Sequence, residues 1–386
     1  MKAAISKDLL NIQTIISNIF GSELHKKRQL SLSHAALGLF GSKSLFLHDI
    51  GLGMAEIRGV NKKHATKQVD RLLSNPGFDI WKLSSQWVPY VVGNKEELMV
   101  ALDWTSFAGD SQHMISLNVL TGKGCSTPLL WRTVDMKRLK HNRARYEDQI
   151  LSRLKEVISA KVKVTLVADR GFADKKFFTF LDEVLGFNYI IRIKSNTTIT
   201  DNKGISKKAS QWLEGTGRAK SIKNSSITLQ HYSVKQFVSV KDKGMKAAWF
   251  LVTNLSEQPS RKIIKHYAKR WKIEPYFRDI KCGRYGYGLR ETHIQSEQRR
   301  DRLFLVIALC YTLLILLGQA GETLGFDKYL KVNTVKTRTH SLFRQGQFYL
   351  DYFRHFEPEK QKKLITTFSN MLANHDFWLA FYDINK

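Results

Sequence analysis

VKVTLVADRGF, residues 162–172, is an apolar run that breaks off at a carboxylate. Between Val164 and Ala168 only Thr165 is polar, and so short and valine-rich a run reads as a strand covered on both faces. It stops where Asp169 leads into Arg170 and Gly171. Upstream, LMVALDWTSF (98–107) reads as a strand ending at Asp103. HMISLNVL (113–120) reads as a second strand and PLLWRTV (128–134) as a third, with Gly122, Gly124 and Pro128 in the connection before it. An amphipathic helix follows over 145–160, with Ile150, Leu154, Val157 and Ile158 on one side. Downstream of Asp169 come a helix over 175–185 and a fifth strand, FNYIIRIKS (187–195).

Three strands, helix, strand, helix, strand is the order of a ribonuclease-H-like α/β sheet. In such a sheet the first and fourth strands are neighbours, so Asp103 and Asp169 are expected close together. Residues 1–92 read as a helical, DNA-binding unit. Short candidates lie at 33–40 and 44–54, and Asn61 caps KKHATKQVDRLLSN, which stops at Pro76. Val69, Leu72 and Leu73 suit a core, while Lys62, Lys63, Lys67 and Arg71 face outward. Two readings stand for that helix: a recognition helix in a helix-turn-helix-like arrangement, or a surface helix with snorkelling lysines. The catalytic sheet occupies 93–194. A β-rich insertion containing ITLQHYSV and AAWFLVTN interrupts it at 195–258. The second catalytic part spans 259–322, and 323–386 form a helical carboxy-terminal region, the first candidate for dimerisation. No tandem repeat of 20–50 residues is apparent.

The 386 residues carry a formal charge of +28 at a pI of about 9.9. Such an excess opposes compaction unless a polyanion is the normal partner, and its spread through folded-looking sequence favours nucleic acid over a membrane tether. Cys125, Cys282 and Cys310 show neither disulfide nor zinc spacing, which suggests a reducing compartment. MKAAISKDLLNIQTI is broken by Lys7 and Asp8 and does not read as a signal peptide. LFLVIALCYTLLILL (303–317) falls short of the ~20 residues a membrane span needs and reads as a buried helix.

KHYAKRWKIEPYFRDIK (265–281) holds the third carboxylate. Tyr267, Arg270, Glu274 and Lys281 fall within an arc of roughly 60° on an ideal helix. Pro275 threatens that register by kinking the helix. Phosphodiester cleavage without a covalent enzyme intermediate calls for an activated oxygen nucleophile and a stabilised leaving oxygen, which a pair of divalent ions on clustered carboxylates supplies. Singly, an Asp after a strand is more often a turn or cap residue. Asp103, Asp169 and Glu274, in this order on these elements, read as a catalytic and metal-binding triad.

The ordered acids, the Y-x2-R-x3-E-x6-K spacing of Tyr267, Arg270, Glu274 and Lys281, DRGF (169–172) and RIKSN (192–196) together resemble the bacterial insertion-sequence transposases with a DDE triad and YREK signature. That group includes cut-and-paste enzymes that form DNA hairpins, and the likeness covers roughly residues 95–320. It implies that Asp103, Asp169 and Glu274 bind two Mg²⁺ ions, with Mn²⁺ able to substitute. Tyr267, Arg270 and Lys281 would hold phosphates of a transposon end. Trp249 would stack a flipped base, or else plug a β-core. Trp271, Arg170 and Lys194 are further DNA-contact candidates. The implied reaction comprises end recognition, a 3′ nick by water, hairpin formation, hairpin opening and strand transfer. Expected partners are double-stranded transposon ends and target DNA, engaged by a homodimer in a paired-end complex on the cytoplasmic nucleoid. A stand-alone Mg²⁺-dependent nuclease and a non-catalytic DNA-binding regulator are the competing readings.

Overall fold

Among the described residues ten strands join in one sheet, side by side in the order β3 (Ser126–Asp135), β2 (Gln112–Leu120), β1 (Glu97–Phe107), β4 (Lys163–Ala168), β5 (Asn188–Arg192), β10 (Trp249–Thr253), β9 (Tyr232–Val240), β8 (Lys220–Ile227), β6 (Thr198–Thr200) and β7 (Ser206–Lys208), with helices on both faces. The computed structural model describes residues 12–42, 44–120, 126–215, 217–228, 231–256, 258–283 and 286–373. The start of the amino-terminal segment (1–11), the loop holding Gly122, Gly124 and Cys125, and the end of the carboxy-terminal region (374–386) lie outside them.

The amino-terminal unit is helical: α1 (12–20), α2 (Lys26–Ser42), α3 (Leu47–Arg58), α4 (Lys62–Ser74) and α5 (Ile80–Val92). The candidate at 33–40 is the buried middle of the longer α2, and that at 44–54 becomes α3. Gly59, at φ 65° and ψ 30°, ends α3 in the left-handed region, so a turn of three residues reaches α4. There Asn61 Oδ1 accepts from the Lys63 N–H at 2.9 Å, while Asn75, held extended before Pro76, closes the helix. Helices α2, α3 and α4 pack on one another.

The sheet begins with β1 (Glu97–Phe107), β2 (Gln112–Leu120) and β3 (Ser126–Asp135), an antiparallel meander. Pro128 lies inside β3, not in the connection as expected, opposite Asn118 at the register shift between Leu117 and Asn118. β3 is an edge strand, where a missing N–H costs no ladder bond, and the Pro128 carbonyl accepts from Trp87 Nε1 at 2.9 Å. A single turn, α6 (Met136–Leu139), precedes α7 (Arg143–Val157), and β4 (Lys163–Ala168) follows parallel to β1. After α8 (Lys175–Thr179) the chain widens into a π-turn (Phe180–Leu185) before β5 (Asn188–Arg192), parallel to β4.

Strands β6 (Thr198–Thr200), β7 (Ser206–Lys208), β8 (Lys220–Ile227), β9 (Tyr232–Val240) and β10 (Trp249–Thr253) continue the same sheet, because β10 pairs antiparallel with β5. ITLQHYSV is not one strand: Ile227 ends β8, Thr228 and His231 take positive φ in the turn, and Tyr232 begins β9.

One divided helix and three further helices follow. The divided one is α9 (Ser260–Ala268), a tight turn (Lys269–Lys272) and α10 (Ile273–Lys281); then come α11 (Glu297–Thr323), α12 (Leu342–Tyr352) and α13 (Pro358–Ala373). The apolar stretch 303–317 is the centre of the 27-residue α11. By length and composition α11 could cross a membrane, but it lies buried against α2, α4, β3, α12 and α13. A Cβ on Gly318 would stand 2.0 Å from the Leu342 carbonyl oxygen, and one on Gly346 2.0 Å from that of Leu314. Those two glycines let α11 and α12 touch backbone to backbone.

Candidate active site

Strand register places the first two acids. Leu102 pairs with Ala168, and Ala168 with Ile191, so the next residues along three parallel strands, Asp103, Asp169 and Arg192, stand in one row. Asp103 is not at the end of its strand, as the sequence suggested. β1 runs on to Phe107 beside β2, and Asp103 sits where the β4 partner stops. Asp169 caps the following turn, its Oδ1 accepting from the Gly171 N–H at 2.7 Å.

The third acid arrives on the divided helix. Pro275 has no N–H for the Trp271 carbonyl four residues earlier, and the backbone tightens at Lys269–Lys272. Across that turn the Arg270 guanidinium faces two carboxylates, Nη1 3.5 Å from Asp103 Oδ2 and Nη2 3.5 Å from Glu274 Oε1. Burial pushes the Asp103 carboxyl up to about 6; Arg270 pulls it down, while repulsion from Asp169 and Glu274 raises it further. All three acids therefore share one electrostatic neighbourhood.

The side chains around Arg270 divide between wall and opening. Tyr267 is buried, and its hydroxyl is pushed up by burial, with Arg270 and Arg192 opposing. Lys281 is also buried: Nζ bonds to Thr105 Oγ1 and lies 5.3 Å from the Phe107 ring and 5.7 Å from that of Phe277. Burial pushes the Lys281 ammonium down to about 8, aided by Arg290 and opposed by Asp103. Glu274 and Trp271 are open to solvent. Half-buried Trp249 meets Tyr267 edge-on at 5.1 Å and Trp271 at 5.9 Å. Arg170 and Lys194 are exposed near this end of the sheet. Lys62, Lys63, Lys67 and Arg71 belong to α4 in the amino-terminal unit, with Lys63, Lys67 and Arg71 exposed. Sequence reading missed Thr105 and Phe107, the seats of Lys281, and Arg192 beside Tyr267. Their signal was β-alternation, which puts Asp103, Thr105 and Phe107 on one face of β1.

A family model described as a transposase DDE domain matches residues 100–313, more than half of the chain. The chain belongs to the DDE transposases. No curated protein matches it. Membership makes it a polynucleotidyl transferase/endonuclease that acts on DNA, and implies a ribonuclease-H-like catalytic fold. DDE transposases generally use divalent metal ions.

Among the described residues of this transposase, no three His, Cys, Asp or Glu side chains form a group able to hold an ion as they stand. Asp103 and Glu274 face a guanidinium instead of each other, because Arg270 stands between them. Their chemistry nonetheless fits a hard cation. Carboxylate oxygens are the preferred donors, and a half-buried Asp103 repelled by two further acids gains from added positive charge.

Proposed function

We propose that this DDE transposase moves its own insertion sequence by a cut-and-paste route, with Asp103, Asp169 and Glu274 as the catalytic triad. One observation carries the reading: strand register aligns Asp103 with Asp169, and Arg270 ties Asp103 to Glu274. Asp103, Asp169 and Glu274 would hold two Mg²⁺ ions, replaceable by Mn²⁺, which when bound would supply Lewis acidity to the phosphoryl transfer. Arg270 leaves the two carboxylates for a DNA phosphate, a strong bidentate partner. Tyr267 orients that guanidinium, and Lys281 adds positive charge from the wall beside Thr105. Exposed Arg170 and Lys194 contact backbone at the rim, as does Trp271. In α4, Lys62, Lys63, Lys67 and Arg71 grip the duplex through the helix-turn-helix-like pair α3–α4.

Water makes the first nick and frees a 3′-hydroxyl. That hydroxyl attacks the opposite strand to form a hairpin, water reopens it, and the same hydroxyl joins target DNA. Each step exchanges one oxygen for another at phosphorus, so one triad serves them all. Cutting two ends in concert requires two such sites, hence at least a homodimer on paired ends, acting on the bacterial nucleoid.

The test is Glu274→Gln. On a duplex carrying the element's terminal sequence, cleavage should fall by at least about a hundredfold while affinity changes little, as expected when a transition-state contact is lost. Undiminished cleavage would remove Glu274 from the triad. Cutting without strand transfer in the unaltered protein would favour a stand-alone nuclease, and binding without cutting a regulator.

A further inference from the structure

Arg143, the first residue of α7, is fixed on three sides. Its Nε donates to Glu147 Oε1 at 3.0 Å, and its guanidinium carbon lies 5.4 Å from the centre of the Trp104 ring and 5.7 Å from that of Phe172. Glu147 is itself buried and also accepts from Trp104 Nε1 at 2.7 Å, so the anchor is rigid. Both rings belong to the catalytic neighbourhood: Trp104 follows Asp103, and Phe172 closes the turn that Asp169 opens.

The bond through Nε leaves the two terminal nitrogens for another partner. Nη2 lies 4.0 Å from the point where a Cβ on Gly171 would stand, and Asp169 Oδ1 lies 2.9 Å from the same point. Any side chain at position 171 would fill the gap between guanidinium and carboxylate. Glycine keeps it open. A half-exposed arginine gains little stability from an ion pair, so three supports exceed what an ordinary surface pair requires. They suit a cation held ready for an anion. Side chains alternate along β1, so Trp104 and Arg143 stand across the sheet end from Asp103 and Arg270.

We propose that Arg143 and the opening at Gly171 form a seat for a DNA-backbone phosphate flanking the scissile one, on the opposite side of the Asp103–Asp169 pair from Arg270. The seat rests on the transposase function proposed above. It gives the bound strand a second fixed point, so that the phosphate between the two points is presented to the triad.

The experiment uses the full-length protein, the duplex of its own terminal sequence, and copies with one methylphosphonate at each position around the cut. Binding is measured without divalent metal, which keeps the duplex whole. Arg143→Gln should bind roughly tenfold more weakly and lower the slope of log affinity against log salt by about 0.9, one phosphate's share. One methylphosphonate next to the cut should weaken the unaltered protein about tenfold and leave Arg143→Gln unaffected. Arg143→Lys should keep the salt slope and lose part of the affinity, and it carries the same measurement if the glutamine protein does not fold. An unchanged slope with every methylphosphonate penalty retained would overturn the seat. Cleavage by the unaltered protein is scored separately. Arg143-dependent phosphate binding without any cutting would sink the transposition mechanism and leave the seat standing.

Discussion

Asp103 is held in a state that costs stability. Its half-buried carboxyl lies near Asp169 and Glu274, and Arg270 and a hydrogen bond from the Trp104 N–H offset their repulsion. The folded protein binds this proton more tightly than the unfolded chain does. The group's contribution is therefore most favourable below pH 3.8 and is lost as pH rises through about 6. At 1.36 kcal/mol per pH unit, that interval amounts to about 3 kcal/mol. Asp103→Asn removes the titration but leaves Arg270 with one carboxylate, so a gain of about 1–3 kcal/mol is expected at pH 8 and almost none at pH 4. Denaturant melts at the two pH values read this directly. A gain of equal size at both would mean that packing, not charge, sets the effect. Mg²⁺ should raise the pH 8 stability of the unaltered protein and not of Asp103→Asn, because an ion that binds only the folded form stabilises it.

Elements with one strong periodic signal were readable in the sequence; those set by partners were not. The apolar run ending at Asp169 became β4, and Asn61 and Pro76 bracketed α4 correctly. By contrast, the end of β1 was misplaced because β2 continues to pair with it beyond Asp103, a fact that belongs to the partner strand. Pro128 looked like loop because proline usually is, yet an edge strand with a register shift accepts it. The divided helix shows the same limit. Pro275 announced a kink, but only the fold shows the adjustment falling at Lys269–Lys272, where it turns Arg270 between two carboxylates. β10 carries the test at this scale. It enters the sheet beside β5 with Trp249 first, near the row formed by Asp103, Asp169 and Arg192. If Trp249 receives an unstacked base there, Trp249→Ala should slow hairpin formation at least tenfold and spare the first nick, since stacking offsets a few kcal/mol of unstacking. Strand-resolved gels separate the two products. Equal loss at both would assign Trp249 to packing against Tyr267 and Trp271.

Across the whole molecule, a charge of +28 correctly points to nucleic acid, but it does not say which cations face it. In the basic stretch 288–302, three of the arginines are taken up inside the fold. Arg300 is fully buried, bonded to Asp110 and Gln112 Oε1, with its guanidinium 4.2 Å from the Phe107 ring centre. Arg299 pairs with Asp70 at 2.8 Å, and Arg302 donates to the carbonyls of Leu73 and Phe78 at 2.9 and 3.0 Å. Arg299 and Arg302 fasten the spine helix α11 to the end of α4, and Arg300 fastens it to the turn and strand start at Asp110 and Gln112, which joins the amino-terminal unit to the sheet that holds Asp103. No local pattern reveals this, because the partners of Arg299 and Arg302 lie more than two hundred residues away in the chain. Arg302→Leu removes two charge-assisted hydrogen bonds, each worth about 1.5–3 kcal/mol, from acceptors at that junction. Hydrogen exchange should then speed up by at least about tenfold in α4 and α5 and stay unchanged in β1, β4 and β5, because stability is lost locally. The salt slope of DNA binding should also stay the same, since no counterion is released through Arg302. Faster exchange spread evenly over sheet and helices would show α11 acting as part of a single core, and a smaller salt slope would place Arg302 on phosphate.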